Sequence, residues 1–330
     1  MRKANRRTKR IAATVATGAL ALAGTALAAG VANAAPAAPA AHQTSYRFVT
    51  LDNHRDLTFN QLLGINNHGE IAGYFGSGAA GHPNKGYQLY PPFGQRDYVN
   101  ENFPHSVQTQ VTGLNDNGVT VGFWSSMNTT TMVNNNFGFW EQNGHYHTAD
   151  FPASDPASPP VDQLLGVNDH DVAVGFWNDS AGNSHGYEYN IKTRHYSSVT
   201  DPSAPTASLS ANAINNYGNV AGTYTNPSTG DMDGFLKVGG TFIDLAVKGA
   251  SSTMALGVND HDEVVGTYTD GTGSSAVMHG FTWKPGQGFK TVNDPYGATT
   301  TTINGVNNAG DLVGFYVDAA GNTDGFLAIP

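Results

Sequence analysis

Cysteine is absent from all 330 residues, so neither a disulfide nor a thiolate metal site can hold this chain together. Positive charge is scarce and badly distributed. Six of the 16 Lys and Arg (Arg2, Lys3, Arg6, Arg7, Lys9 and Arg10) crowd the first ten residues. Beyond residue 34, ten Lys and Arg face 26 Asp and Glu, a net charge of −16. A surface of that sign repels phosphate, which argues against nucleic acid or anionic membrane as a partner. Beyond residue 34 no segment sustains a 3.6-residue apolar period with capping residues, so helix is expected to be sparse. No H-E-x-x-H helix, Cys/His cluster, G-x-S-x-G elbow, Walker or dinucleotide spacing occurs. Zinc hydrolase, serine esterase and nucleotide-binding chemistries are therefore disfavoured.

What is present begins with an address. Residues 1–34 read as a signal peptide: a basic start, an Ala-rich apolar stretch from Ile11, and Ala32-Asn33-Ala34 as an A-x-A cleavage site. Thr and Gly dilute the stretch, and a processing site ends it, which favours removal over a retained membrane helix. Arg6-Arg7 admits twin-arginine export, but the following residues do not complete that pattern, so this route and the general secretory route both stay open. Residues 35–43 form an Ala/Pro-rich spacer. The mature chain is expected to be secreted and monomeric, without membrane insertion.

From residue 44 onward the chain repeats. A segment of small or aliphatic residues followed by Asn and then Asn or Asp occurs six times, anchored at Asn66, Asn115, Asn168, Asn215, Asn259 and Asn307. Seven residues later stands a glycine in every copy: Gly73, Gly122, Gly175, Gly222, Gly266 and Gly314. Two further on comes an aromatic: Phe75, Trp124, Trp177, Tyr224, Tyr268 and Tyr316. A Gly-aromatic pair then follows, from Gly86-Tyr87 to Gly325-Phe326. Each copy reads as four strands, the first and second joined by Asn-, Asp- and Gly-rich tight turns.

The two ends complement each other. The last copy stops after its third strand, at Phe326-Leu327-Ala328-Ile329-Pro330, while Phe48-Val49-Thr50-Leu51-Asp52 supplies a fourth-strand pattern at the front. The expected fold is an all-β, six-bladed propeller over residues 44–330, with four-stranded blades and a ring closed by the N-terminal strand. Closure would remove exposed sheet edges without disulfides.

The repeat resembles the extracellular bacterial repeats named for a His-Ala-Phe motif. His185-Gly186-Tyr187 and His279-Gly280-Phe281 are the nearest matches, with Gly in place of Ala, and the resemblance runs from about Tyr46 to Pro330. At the His position four copies depart, carrying Lys85, Phe137, Asp233 and Asp324. The resemblance implies secretion and a propeller-like repeat, and brings no activity with it.

Chemistry is expected on the face that bears the blade-to-blade connections and the loops between second and third strands. The catalytic candidates there are His54, Asp56 and His105, and the ligand-binding candidates are Arg55, His82, Phe59 and Tyr296. These are ionisable groups suited to acid–base work near neutrality and aromatics able to stack on sugar rings. Phe103 and Phe151 lie in further connections, with ordinary loop packing as their default role. Asp52, Asp56, Glu101, Asp155, Asp162, Asp201 and Asp294 also fall in connections; solvated turn residues are their default, and an acid–base pair is the sharper alternative. The loops Asp179–Asn183 and Asp318–Asn322 lack the alternating ligands of a calcium loop, so no metal or cofactor is expected, with calcium the minor alternative. Two functions remain: an extracellular binding module for polysaccharide or protein, and a glycan-cleaving hydrolase or lyase using Asp and His on the same face.

Overall fold

The computed structural model describes residues 46–128, 133–152 and 161–330. The leader at 1–34, the spacer at 35–43 and Asp155 lie outside the described residues. Apart from a single 3-10 turn at Gly273–Ser275, the regular structure is β-strand.

Six antiparallel units follow one another. Unit one comprises Asn60–Ile65, Ile71–Phe75, Lys85–Leu89 and Tyr98–Asn100. Unit two comprises Gln108–Leu114, Val119–Asn128, Val133–Gln142 and His145–Thr148. Asp162–Val167, Val172–Asn178, Ser184–Asn190 and His195–Val199 make unit three. Leu209–Ile214, Val220–Thr225, Met232–Val238 and Thr241–Leu245 make unit four. Unit five contains Ser252–Val258, Val264–Asp270, Val277–Lys284 and Gly288–Thr291. Unit six contains Thr300–Val306, Leu312–Val317 and Thr323–Ile329. Its outer strand comes from the front of the chain: Arg47–Thr50 pairs antiparallel with Phe326–Ile329 in the register Arg47↔Ile329 and Thr50↔Phe326.

Units one to three are separate four-stranded sheets. Units four to six join into one twelve-stranded ladder through parallel bridges at Met232↔Ser252 and Met278↔Thr300. That ladder is open, ending at Arg47–Thr50 and at Leu209–Ile214.

One irregularity explains the most constant glycine column. Every inner strand bulges at the same place, between Leu62 and Gly64 in unit one and between Ala255 and Gly257 in unit five. The bulge drives an inner-strand carbonyl against the second strand, so a Cβ on Gly266 would lie 1.8 Å from Met254 O and one on Gly175 1.9 Å from Gln163 O. The aromatic of the Gly-aromatic pair lies over that bare backbone; Tyr87, Phe139, Tyr187, Phe235, Phe281 and Phe326 are all buried. The bulged residues point to the centre, where Leu63, Leu165 and Leu256 alternate with Thr112, Asn212 and Asn304 around a cavity of about 60 Å³.

The anchor asparagines connect the units. In each, Oδ1 accepts two N–H groups of its own turn, as from His68 and Glu70 onto Asn66. Nδ2 donates to the anchor carbonyl of the next unit: Asn66 to Asn115, Asn115 to Asn168, and on through Asn215 and Asn259. Asn307 donates back to Asn66 O at 3.4 Å. The residues that follow the anchors repeat the pattern, from Asn67 N–H on Asp116 Oδ1 to Asn308 N–H on Asn67 Oδ1.

Candidate functional site

The two ends of this assembly differ chemically. Around the anchor turns the chain presents a shallow polar depression of about 70 Å³, lined by anchors and their successors from all six units. Asp116, Asp169 and Asp260 there accept backbone N–H groups and neighbouring Asn amides, so their carboxylate oxygens are engaged within the array itself. That end holds the units together. Function is sought at the other.

On the connection face, the expected cluster of unit one assembles only in part. Asp56 Oδ2 and His82 Nδ1 are 2.8 Å apart. Asp56 also accepts the N–H and hydroxyl of Thr58, and its side chain is 7% exposed. Burial opposes ionisation, but the Thr58 and His82 hydrogen bonds outweigh it and hold Asp56 below the ordinary carboxylate range. Arg55 turns away, donating from Nη1 to Asn100 Oδ1 at 3.0 Å, and His54 is exposed with its N–H on Gln95 Oε1. His105 is exposed at the tip of the next connection, in a left-handed conformation with φ 62°. Phe59 is half-buried, bridged to Thr323 and packed 5.9 Å from the Tyr74 ring. Tyr296 is 70% exposed, its ring 6.4 Å from that of Tyr316.

The connection carboxylates are not solvated turn residues, and here the expectation is corrected. Asp52 accepts Gly325 N–H, Asp201 accepts Ser203 N–H, Asp294 accepts Tyr296 N–H, and Asp162 accepts Phe151 N–H and the Tyr187 hydroxyl. Where the chain passes from one unit to the next, the acidic side chain folds inward and caps a backbone N–H of its own or a neighbouring turn, leaving Asp162, Asp201 and Asp294 buried. Asp162 is the first residue of an inner strand rather than part of a connection. Glu101 is buried between units one and two, where it accepts Gln88 Nε2 and the Thr120 hydroxyl that also reaches Glu141. Burial pushes Glu101 up to about 7, against those hydrogen bonds and with help from the charge of Glu141. Among the described residues no group of three or more His, Asp or Glu side chains is arranged to hold a metal ion.

A pocket of about 80 Å³ opens between units three and four. Its apolar wall is a row of stacked rings: Phe151 lies on Trp177 (5.7 Å between centroids, 10° between planes) and His185 lies on Trp177 (4.5 Å, 24°). Asp179 Oδ2 holds His185 Nε2 at 3.0 Å, and bonds from Asn183 and His185 keep that carboxyl well below the usual range. Ser198, Thr200 and Asp201 supply polar groups, and Pro205 and Leu209 add apolar lining. Among the described residues no Lys or Arg lines it. The stack recurs in unit two, where Trp124 lies between Phe103 (4.3 Å, 1°) and Phe137 (4.9 Å, 34°). An aromatic wall beside hydroxyl and carboxylate groups suits an amphipathic ligand with an apolar face and a polar edge.

Trp177 and Phe151 pack half-buried against the core of unit three, Asp201 is buried where a solvated turn was expected, and His185 is not among the site candidates the sequence offers. The available signal was the departure from uniformity itself: only units three and five carry His before the Gly-aromatic pair.

No protein-family model matches the chain, and no curated protein does either. Among solved structures it is similar to AofleA from Arthrobotrys oligospora, at 11% identity and a TM-score of 0.48 over 86% of each chain. It is similar to a mutant of the lectin of Aleuria aurantia in complex with Fucα1-6GlcNAc, at 10% identity and 0.47 over 82% of this chain and 91% of that one. An ulvan lyase, a polysaccharide lyase, aligns at 12% identity and 0.42 over 79% and 76%. Values this low carry no inference about activity. Over the described residues the chain is an all-β assembly of blade-like four-stranded antiparallel units with almost no helix.

Proposed function

We propose that this chain is a secreted six-bladed β-propeller of the His-Ala-Phe repeat type that binds glycans outside the cell as a monomer. The closed ring is supported by the hydrogen bonds that return from Asn307 to Asn66 and by the outer strand that Arg47–Thr50 lends to unit six. The observation that carries the glycan reading is the Phe151–Trp177–His185 stack lining one pocket together with Ser198, Thr200 and Asp201. Sugars offer an apolar ring face and equatorial hydroxyls to such a wall. A pocket of about 80 Å³ takes part of one sugar ring, far below the roughly 300 Å³ of an enclosing ligand site. The absence of Lys and Arg from its lining and the charge of −16 select neutral or amine-bearing sugars over uronates and sulfates.

Cleavage is the weaker reading. A glycosidase needs two carboxyl groups about 5–9 Å apart across the scissile bond. This pocket offers Asp201 alone, and Ser203 already engages both of its oxygens.

The test is a polysaccharide panel of neutral glucans and mannans, chitosan and polyuronates, scored for retention of the mature protein and for released reducing ends. A neutral or amine-bearing polymer should retain it without new ends. Trp177→Ala or His185→Ala should cut retention at least tenfold with Tm within about 3 °C of the parent for His185→Ala. Release of ends, or retention untouched by both variants, would overturn the proposal.

A further inference from the structure

Units five and six repeat several features of units three and four, although Val247 stands before unit five where Phe151 stands before unit three, and His279 meets Asn293 where His185 meets Asp179. The residue before the Gly-aromatic pair runs Lys85, Phe137, His185, Asp233, His279 and Asp324, so His followed by Asp occurs twice. At the centre, Leu165 then Asn212 is matched by Leu256 then Asn304. The rings repeat as well: His279 lies over Tyr268 at 5.1 Å and 32°, as His185 lies over Trp177. Asn293 Nδ2 lies 2.9 Å from His279 Nδ1 and fixes the ring over Tyr268.

The two connections fold alike. In each, the Asp Oδ1 accepts the N–H two residues on at 2.8 Å, from Ser203 onto Asp201 and from Tyr296 onto Asp294. In each, the Asp carbonyl accepts the N–H three residues on at 3.1 Å, from Ala204 and from Gly297. One difference matters. The Ser203 hydroxyl engages both oxygens of Asp201, whereas Tyr296 has no hydroxyl to offer at that place. Asp294 is 3% exposed, and its Oδ2 is buried without a hydrogen-bond partner. Such an oxygen is costly to leave unmatched, and an incoming O–H or N–H would match it. Burial raises the pKa of Asp294, with the Tyr296 N–H opposing and the charge of Asp324 adding, as expected of a carboxyl short of a donor.

We propose that Tyr268, His279, Asn293 and Asp294, with Tyr296 at the rim, form a second sugar site equivalent to the one at Trp177 and His185. The chain then binds two glycan segments at once, two units apart on one face. This rests on the glycan-binding reading and deepens it. The second site differs from the first in its carboxylate acceptor, so it takes a ligand edge that donates, a hydroxyl or an amine, and refuses an anionic one. Two weak sites on one rigid body gain avidity on a polymer without any new contact.

Titration of the mature protein with cellobiose and with the β-1,4-linked glucosamine dimer tests this, because either sugar is too short to span two sites. At least one of them should bind with a stoichiometry of two. Asp294→Asn, and separately His279→Ala, should reduce it to one, as His185→Ala does, and His185→Ala with His279→Ala should abolish binding. Retention on the immobilised polymer should fall more than tenfold when either site is lost. A stoichiometry of one that His185→Ala abolishes, and that both His279→Ala and Asp294→Asn leave intact, overturns the second site alone. Failure of the parent to bind either sugar overturns this site together with the glycan reading.

Discussion

An anchor asparagine makes three hydrogen bonds that no other side chain could make together. Its carbonyl oxygen caps two N–H groups of the turn it heads, and its amide reaches the backbone of the next unit. Aspartate would lose the donor and alanine would lose both ends, which is why the column is invariant across six copies. The glycine seven residues on is fixed by sterics instead. A Cβ on Gly266 would overlap Met254 O at 1.8 Å and press on the Phe281 ring at 3.0 Å, and neither is the free end of a flexible side chain. Gly266→Val should therefore cost at least about 3 kcal/mol, because the inner-strand bulge must be rebuilt and the Phe281 ring displaced. Urea denaturation at constant m-value measures this. A variant of unaltered stability that had lost sugar binding would assign the column to a ligand instead of to the fold.

Strands were legible in the sequence because six copies in register supply their own alignment. The first and second strands expected on either side of each anchor turn are present, as at Asn60–Ile65 and Ile71–Phe75 in unit one. The pairing of Phe48 with the final strand was legible for the same reason, since a missing outer strand at one end matched a surplus one at the other. The pocket was not legible. Phe151, Trp177, His185 and Asp201 span fifty residues, and only a fold brings their rings and carboxylate to one wall. The connection acids were misread because sequence shows that a loop is polar but not that its carboxylate folds inward onto the N–H groups of its own turn. Closure at the element scale is testable. Phe48 packs against Phe326 at 5.4 Å, Thr50 Oγ1 meets the Tyr316 hydroxyl at 3.0 Å, and Leu51 is buried in the core of units one and six. Deleting residues 44–53 should lower Tm by 10 °C or more, since it removes an entire strand's burial and bares the edge at Phe326–Ile329. Melting within a degree or two of the parent would sink the closed ring.

At the scale of the whole molecule, the acidic groups divide into two sets that act in different pH windows. Burial first of all raises Asp52, Glu101 and Asp162 to about 7 and Asp150 to about 6. In the unfolded chain the same groups ionise near 4. Between pH 4 and 7 the unfolded chain therefore releases protons that the folded chain keeps, so folding stability is full below about pH 4 for this set and is lost as pH climbs through 7. Asp56 and Asp318 lie below their ordinary range because hydrogen bonds to Thr58 and His82, and to Asn322, outweigh burial, so their contribution is present above pH 4 and lost in acid. The two trends oppose each other and place the optimum in acidic solution, near about pH 4 to 5. Raising the pH from 5.5 to 8 should lower the stability of the mature protein by a few kcal/mol, on the order of 5 °C or more in Tm, while the drop below pH 4 should be set by the second set. Thermal melts at constant ionic strength across pH 3.5 to 8.5 check this, the salt being held fixed because a net charge of −16 contributes its own repulsion as pH rises. Repetition in 0.5 M salt separates the two causes: general repulsion is screened, whereas the penalty on carboxyls buried between blades is not. A Tm that climbs steadily from pH 5.5 to 8, or a fall that salt removes entirely, would mean that these buried groups ionise without cost and that the interfaces between units are wetter than their packing implies.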